Sequence, residues 1–206
     1  MHARVTRLTG TPENLRQTIS TFEDSTAAVR QLPGCAGILL VADTGAGRAI
    51  TVSYWESEGA MNASEEAVAG ARSRISAEHG VEVGRVERYE VSILERSQPL
   101  KAGTCVRVMS GQLAPARIAA VETEVRERIL PVITGLPGFR STVVCVNRQS
   151  GAIFLGSSWD TPTDRQASEA IMAPRRQRIL AEAGATLEVE HYDVAYVHAQ
   201  GAMQRS

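Results

Sequence analysis

The chain has 206 residues, of which 43% are hydrophobic and 22% charged, and its formal net charge is -1. This length allows one large domain or two of about 100 residues, and a nearly neutral chain without a basic cluster lacks the charge pattern of a nucleic-acid-binding protein. No apolar run approaches a membrane span and no apolar leader segment opens the chain, so we expect a cytoplasmic protein that binds neither nucleic acid nor membrane.

The first predicted element is a short strand over residues 2–8, followed by a helix that Thr11 and Pro12 open. Apolar residues recur at helical spacing as far as Leu32, where a Pro-Gly pair follows. The strands GILLVA and RAITVSYW then form a hairpin through DTGAG. A second helix begins at Ser57, a good N-cap residue, and a last strand carries VERYEVSIL.

The same plan returns about 104 residues further along the chain. LPGCAG is matched by LPGFRS, ISAEHG by ILAEAG, and Trp55 by Trp159, which lies 104 residues later. In this second copy Pro131 predicts a kink in the first helix, and Pro174 predicts an interruption of the second. The matches indicate a duplication. We assign 1–97 to the first repeat, 98–103 to a linker and 104–206 to the second repeat.

Each repeat therefore reads βαββαβ, the ferredoxin-like order of an α+β fold. The strand GILLVA is apolar on both faces, whereas an antiparallel strand with one solvated face should alternate with polar residues. The face away from the helices must therefore be covered. We expect the two repeats to pack sheet to sheet as an α/β barrel closed within one chain, with a pocket between the sheets.

Alternation along AITVSYW predicts which of its side chains share a face. The more apolar set, which we expect to pack on the helices, is Ile50, Val52 and Tyr54. Trp55 then falls on the face between the sheets. The candidate ligand-binding residues on that face or at its rim are Trp55, Ser53, Thr51, Arg4, Trp159, Ser157 and Arg107.

The tryptophans and the arginines each have a structural alternative to ligand binding. Each tryptophan could be a plug that closes one end of the barrel, and each arginine could form an ion pair at the rim with Glu87, Glu90 or Asp193. Between the two copies, the first offers more hydrogen-bonding groups, because Thr51 stands where the second has Leu155. We therefore expect the working pocket in the first repeat.

Histidine and cysteine residues show no pattern typical of a metal or disulfide site. The four histidines are His2, His79, His191 and His198, and the three cysteines are Cys35, Cys105 and Cys145. Scattered in this way, the cysteines are typical of buried thiols in a reducing compartment. We expect no bound metal and no cofactor.

The two copies resemble the antibiotic biosynthesis monooxygenase domain, whose members share the dimeric α/β-barrel fold. LPGCAGILLVADTGAGRAITVSYWES and LPGFRSTVVCVNRQSGAIFLGSSWDT, each followed by a helix and a YEV or YDV strand, carry the resemblance. It covers nearly the whole chain twice, which implies that two domains of a usual dimer are fused here. That family includes cofactor-independent monooxygenases that oxidise polycyclic phenols, and heme-degrading enzymes. The resemblance implies a pocket-lining role for Trp55 and Trp159.

Both branches of the family use residues that this chain lacks. Where heme degraders carry a helix histidine, Glu65 and Glu169 stand here, and phenol oxidisers carry an asparagine where Thr51 or Leu155 stands. The resemblance nevertheless implies a function: a cofactor-independent monooxygenase that acts on a small aromatic or polyketide-like compound in the pocket between the sheets. The alternative is a non-catalytic barrel that sequesters or senses a small apolar ligand. Further assembly into a homo-oligomer is left open.

Overall fold

The structure is a computed structural model and describes residues 1–199. The strands of this part of the chain are β1 (His2–Thr9), β2 (Cys35–Asp43), β3 (Arg48–Trp55), β4 (Glu82–Arg96), β5 (Cys105–Gln112), β6 (Phe139–Val146), β7 (Ala152–Trp159) and β8 (Leu187–Ala199). The helices are α1 (Pro12–Ser25), α2 (Ala27–Arg30), α3 (Glu58–Ala63), α4 (Glu65–His79), α5 (Ile118–Glu124), α6 (Leu130–Ile133) and α7 (Pro162–Ala183). A 3-10 turn (Pro115–Arg117) precedes α5, and a π-helical segment (Val125–Ile129) joins α5 to α6.

The strands form an eight-stranded antiparallel sheet, hydrogen-bonded in the order β1-β3-β2-β8-β5-β7-β6-β4. The predicted α+β class and the βαββαβ order of both repeats are confirmed. Register repeats as well, because His2 of β1 lies opposite Trp55 of β3, and Cys105 of β5 lies opposite Trp159 of β7.

Two compact units divide the chain, and both long strands contribute to each of them. The first unit contains Met1–Tyr89, Lys101–Gly103 and residues 192–199, and the second contains Glu90–Leu100 and Thr104–His191. The end of β8 therefore pairs with β2 of the first unit, and the end of β4 pairs with β6 of the second. Each unit thus completes its sheet with the end of a strand that begins in the other sequence repeat.

Capping residues start the helices where the sequence predicts. Thr11 accepts a hydrogen bond from the backbone N–H of Asn14 at 3.2 Å, and Ser57 accepts one from the N–H of Ala60 at 3.1 Å. Thr161 does the same for α7. In the part of the chain that the structure describes, no helix is both long and apolar enough to cross a bilayer.

The two prolines inside the second repeat's helices have different effects. Pro131, where the sequence predicts a kink or a break, lies at the start of α6, directly after the π-helical segment, and no break occurs there. The interruption predicted at Pro174 is wrong, because α7 runs unbroken through it. Buried Met172 and Ile179 lie on either side of Pro174, and this packing compensates for the one hydrogen bond that a proline removes.

One additional residue accounts for the π-helical segment. Pro12 and Pro115, which open the first helix of each repeat, are 103 residues apart, whereas Leu32 and Leu136 at its end are 104 apart. A π-helical turn takes up one residue more than an α-helical turn. The second repeat therefore places its inserted residue in Val125–Ile129 without shifting the rest of the helix.

The faces of the hairpin strands are opposite to the prediction. Trp55 packs in the cluster between sheet and helices, together with Phe22 and Met61. Ile50 and Val52, expected on the helices, therefore lie on the other face, as strand alternation requires. Ile50, Val52 and Tyr54 are buried, and on the helix side so are Ala49, Ser53 and Trp55, with Thr51 partly buried. Because both faces are covered, the more apolar set does not reveal which side carries the helices.

Candidate functional site

Arg4 of β1 is a buried cation on the helix side of the first unit's sheet, with an exposure of 1%. Its guanidinium donates from Nη2 to the carbonyl oxygen of Met61 at 2.5 Å and from Nη1 to Ser64 Oγ at 3.1 Å. Nη2 also lies 3.0 Å from Glu65 Oε2. Ser64 is the junction between α3 and α4, so the break in this helix supplies both neutral acceptors and the carboxylate.

Arg107 of β5 repeats the arrangement in the second unit. Its guanidinium donates to the carbonyl oxygen of Arg165 at 2.6 Å and to Ser168 Oγ at 3.2 Å, and lies 3.1 Å from Glu169 Oε2. The predicted partners of both arginines, Glu87, Glu90 and Asp193, are wrong. Strand alternation directs Arg4 and Arg107 at the second helix of each unit, so the partners come from that helix.

Further arginines surround each carboxylate. Glu65 accepts hydrogen bonds from Arg72 at 2.8 Å and Arg88 at 2.7 Å. Burial raises the pKa of the Glu65 carboxyl, but these bonds and the charge of Arg4 outweigh it, so the pKa lies below its usual value. The pKa of Glu169 is lowered in the same way against burial, by a hydrogen bond from Arg176 and by the charge of Arg107.

Burial lowers the pKa of Arg4 and Arg107, and the adjacent carboxylates oppose this effect. A guanidinium nevertheless keeps its proton in proteins. Each unit therefore holds a permanent positive charge under its sheet, balanced by a glutamate.

A cavity lies between sheet and helices in each unit. The first, of about 50 Å³, is lined by Arg4, Thr51 and Ser53 together with side chains of α1 and α4 such as Phe22 and Ile75. The second, of about 80 Å³, is lined by Arg107 and Ser157 together with apolar side chains that include Val125, Leu155 and Ile179. Both cavities lie on the helix side of the sheet, whereas the candidate residues in their walls were expected on the opposite face.

Trp55 and Trp159 are fully buried at the strand ends and are not among the residues that line the cavities. Trp55 Nε1 donates to Ser53 Oγ at 3.0 Å, and its ring lies 5.7 Å from the Arg4 guanidinium. Trp159 packs edge-on against Phe139. Neither its Nε1 nor Ser157 Oγ has a hydrogen-bond partner among residues 1–199.

Thus the structure brings Arg4, Thr51 and Ser53 to one cavity wall, and Arg107 and Ser157 to another. Each tryptophan lies behind its serine, two residues further along the same strand face. All seven predicted residues fall into two equivalent groups, one in each unit.

The partners of the two arginines were not predicted from the sequence. Ser64 and Ser168, Glu65 and Glu169, and Arg72 and Arg176 each recur 104 residues apart. A charged or polar residue that a duplication preserves in both copies indicates a shared contact, and this signal was available beside Trp55 and Trp159.

The Cys145 thiol and the possible metal-ligand groups of the described residues are the other candidates for reactive groups. Burial raises the pKa of the Cys145 thiol to about 12, which keeps it protonated and unreactive at neutral pH. Within residues 1–199, no group of three or more histidine, cysteine, aspartate or glutamate side chains is placed to hold a metal ion.

Several known proteins are similar to this chain in sequence. The family model described as antibiotic biosynthesis monooxygenase matches residues 1–69. An uncharacterized protein of Mycobacterium tuberculosis strain H37Rv is 30% identical over 176 residues, which cover 83% of this chain and 76% of that protein. A second uncharacterized protein of the same strain is 29% identical over 201 residues, which cover 96% of this chain and 85% of that protein.

Solved structures show the same fold at low sequence identity. An anthrone oxidase-like protein superposes with a TM-score of 0.68 at 15% identity, covering 98% of this chain and 94% of that chain. A monooxygenase-like protein of Listeria innocua gives a TM-score of 0.56 at 14% identity, covering 93% of both chains. A heme-degrading enzyme of Listeria monocytogenes gives 0.54 at 13% identity, covering 92% of this chain and 98% of that chain. With the sequence matches, these likenesses lead to one conclusion: the chain belongs to the antibiotic biosynthesis monooxygenase family.

Proposed function

We propose that the protein is a cofactor-independent monooxygenase that oxidises a small aromatic compound with O2. One observation carries the proposal: in each unit an apolar cavity lies between sheet and helices, and its wall contains a buried arginine and a serine hydroxyl. Such a cavity binds an apolar ring and directs its oxygen to one wall. The proposed ligand-binding residues are Arg4, Thr51, Ser53, Arg107 and Ser157, with Trp55 and Trp159 closing the strand ends behind them.

The proposed chemistry needs only the substrate and O2. A positive charge near a phenol favours its ionised form, and exclusion of water from an apolar cavity makes the phenolate more reactive towards O2. A phenol with a free para C–H then becomes a quinone, with one oxygen atom of O2 in the new carbonyl group and the other in water. The substrate supplies all four electrons, and no external reductant is consumed.

A non-catalytic, ligand-binding role is the alternative, and one observation favours it. Arg4 and Arg107 already contact Glu65 and Glu169 at 3.0 and 3.1 Å. Each carboxylate offsets the charge that would stabilise a phenolate. A protein that sequesters or senses a small apolar compound needs the cavity but not this charge.

Oxygen consumption distinguishes these two functions. The purified protein, treated with a chelator, is mixed with a monocyclic phenol that has a free para C–H, while O2 uptake and quinone absorbance are followed together. The enzyme proposal requires one O2 per quinone at a rate above autoxidation, and loss of that rate in an Arg4→Met, Arg107→Met double variant. Binding of the phenol without accelerated O2 uptake would contradict the enzyme proposal and support the sequestering or sensing role.

For the chain as a whole, we propose that the two repeats pack sheet to sheet as a barrel within one molecule. The support is the burial of apolar side chains on the sheet face away from the helices, among them Ile50 and Val52. Exposed to solvent, a face of this kind would drive association.

A further inference from the structure

We propose that the two repeats have diverged, so that the second unit binds the ligand while the first keeps only a smaller cavity. The ligand class is a single aromatic ring with one hydrogen-bond-accepting oxygen, such as a phenol. This inference rests on the ligand site proposed above and specifies which copy of it is in use. The sequence favours the first repeat through Thr51, but three features of the packing favour the second.

The first feature is a change in size at one helix position. Phe22 lines the first cavity, and Val125, 103 residues later, lines the second. This is the offset that also relates Pro12 and Pro115. Replacement of a phenylalanine ring by valine leaves space under the sheet, in agreement with the larger second cavity.

The second feature is the π-helical segment itself. It begins at Val125 and ends at Ile129, and both residues line the second cavity. Such insertions occur often at functional sites because they redirect side chains without unfolding the helix. The corresponding part of the first unit is the last turn of α1, which contains no π-helical turn and ends at Ser25, one residue short of α2.

The third feature is the state of the buried polar groups. In the first unit Trp55 Nε1 donates to Ser53 Oγ at 3.0 Å, so the two groups satisfy each other. In the second unit, Trp159 Nε1 and Ser157 Oγ are buried without hydrogen-bond partners in the described residues, and Ser157 lines the cavity. A buried polar group without a partner destabilises the protein, so such groups require an explanation.

These groups also specify the chemistry of the ligand. Ser157 and Arg107 line the cavity, whereas Trp159 lies behind Ser157. The Nε–H of Arg107 can only donate and has no partner within residues 1–199, as is also true of the Nε–H of Arg4 in the first unit, so the Ser157 hydroxyl is the cavity group that distinguishes the two units. Ser157 can donate or accept. A hydroxyl or carbonyl oxygen of the ligand would accept from Ser157 and Arg107, and the apolar wall would contact the ring.

The volume of the cavity limits the ligand to one ring. A dry cavity of roughly 150 Å³ is known to admit benzene, and the second cavity measures about 80 Å³. The wall includes Met109 and Met172, and unbranched methionine side chains rearrange readily around a guest. A monocyclic phenol fits after such a rearrangement, whereas a fused polycycle would require the helices to separate.

The test is a titration of the full chain with phenol, followed through the two tryptophan indole N–H signals in ¹H–¹⁵N NMR spectra. Trp55→Phe and Trp159→Phe variants assign the signals. We expect the Trp159 signal to shift and the Trp55 signal to stay, toluene to bind at least tenfold more weakly, and 1-naphthol to bind more weakly than phenol. Equal shifts of both signals, a shift of Trp55 alone, no shift at either, or toluene binding as tightly as phenol would overturn the inference.

Matched variants separate this inference from the proposed activity. Ser157→Ala should weaken phenol binding about tenfold, the effect of one buried hydrogen bond, whereas Ser73→Ala, at an exposed serine of α4, should leave it unchanged. Val125→Phe should abolish binding by filling the cavity, and its retained indole spectrum would show that it folds. If phenol binds beside Trp159 and no O2 is consumed, the proposed monooxygenase activity is contradicted and the choice of the second unit stands. O2 uptake lost in Ser53→Ala and kept in Ser157→Ala contradicts only the choice of the second unit.

Discussion

At the scale of single residues, the two buried arginines are held by equivalent sets of partners. Arg4 and Arg107 each contact a backbone carbonyl, a serine hydroxyl and a carboxylate. Transfer of a charge out of water costs several kcal/mol unless partners compensate for it. The glutamate in each set is therefore as important to the folded state as the arginine, although a search for catalytic residues would pass over it.

Glu169→Gln should destabilise the protein by leaving Arg107 and Arg176 without their shared carboxylate. Loss of one partner of a buried pair costs about 3–5 kcal/mol, and since the Glu169 side chain is 32% exposed we expect about 2 kcal/mol. Urea unfolding at pH 7 measures the change. Glu182→Gln, which removes an exposed pair with Arg178, is the control and should change the unfolding free energy by less than about 0.5 kcal/mol. Equal effects of the two variants would contradict the account.

The same carboxylates predict how stability depends on pH. The pKa values of Glu65 and Glu169 lie below their usual value in the folded state. Their contribution is therefore present above the unfolded pKa of about 4.3 and is lost as the pH falls through the lower folded pKa. Unfolding free energies measured from pH 6 down to pH 3 should decrease. They should decrease less steeply in a Glu65→Gln, Glu169→Gln double variant, and parallel curves would refute this assignment.

At the scale of secondary structure elements, the π-helical segment shows how the second repeat accepts one more residue than the first. An insertion in an α-helix rotates everything after it by about 100°, which would turn the buried face of the helix away from the core. Confined to Val125–Ile129, the extra residue leaves Ile118 and Ile133 both buried.

Deletion of exposed Glu127 should therefore be tolerated. We expect the variant to fold with a regular helix and to lose less than about 1 kcal/mol of stability, because the deletion restores the length of the first repeat. Phenol binding should fall, since the segment shapes the cavity wall. Deletion of Ser20 from α1 is the matched control and should cost several kcal/mol, because it rotates Phe22 out of the core. Thermal unfolding measures the loss of stability in both variants. Similar losses would contradict the interpretation of the π-helical segment as a one-residue insertion.

The helix starts and the hairpins could be predicted from the sequence, but the face of the sheet on which Trp55 lies could not. Helix starts at Thr11 and Ser57 followed from capping chemistry, and the hairpins followed from turn residues between apolar strands. The direction of Trp55 did not follow, since hydrophobicity distinguishes a buried from a solvated face but not two buried faces from each other. The candidate residues of each unit therefore lie together, but on the helix side of the sheet and not on the opposite face where they were expected.

At the scale of the whole molecule, the two units exchange the ends of their last strands, β4 and β8. The repeats expected from the sequence, 1–97 and 104–206, are continuous segments of the chain, but β4 crosses into the second unit after Tyr89 and β8 crosses into the first after His191. Local sequence patterns report which residues form a strand and not which neighbour it pairs with. The exchange was consequently beyond prediction from periodicity. One result is that neither repeat alone contains a complete unit.

Small-angle X-ray scattering tests the proposed sheet-to-sheet packing of the repeats. A compact chain of this length should have a radius of gyration of about 17 Å, and the measured mass should be a whole multiple of 22.1 kDa. For the monomer, a value clearly above 20 Å, as two separated lobes would give, would contradict a barrel closed within one chain.

The most direct test of the central claim, a ligand site between sheet and helices, is a crystal structure with 4-bromophenol. The account predicts an anomalous bromine peak in the second unit within about 4 Å of apolar cavity side chains such as Leu155 or Ile179. The phenol oxygen should lie at hydrogen-bond distance from Ser157 Oγ. A peak on the opposite face of β7, beside Phe154, or a saturating soak without any peak in either cavity, would contradict it.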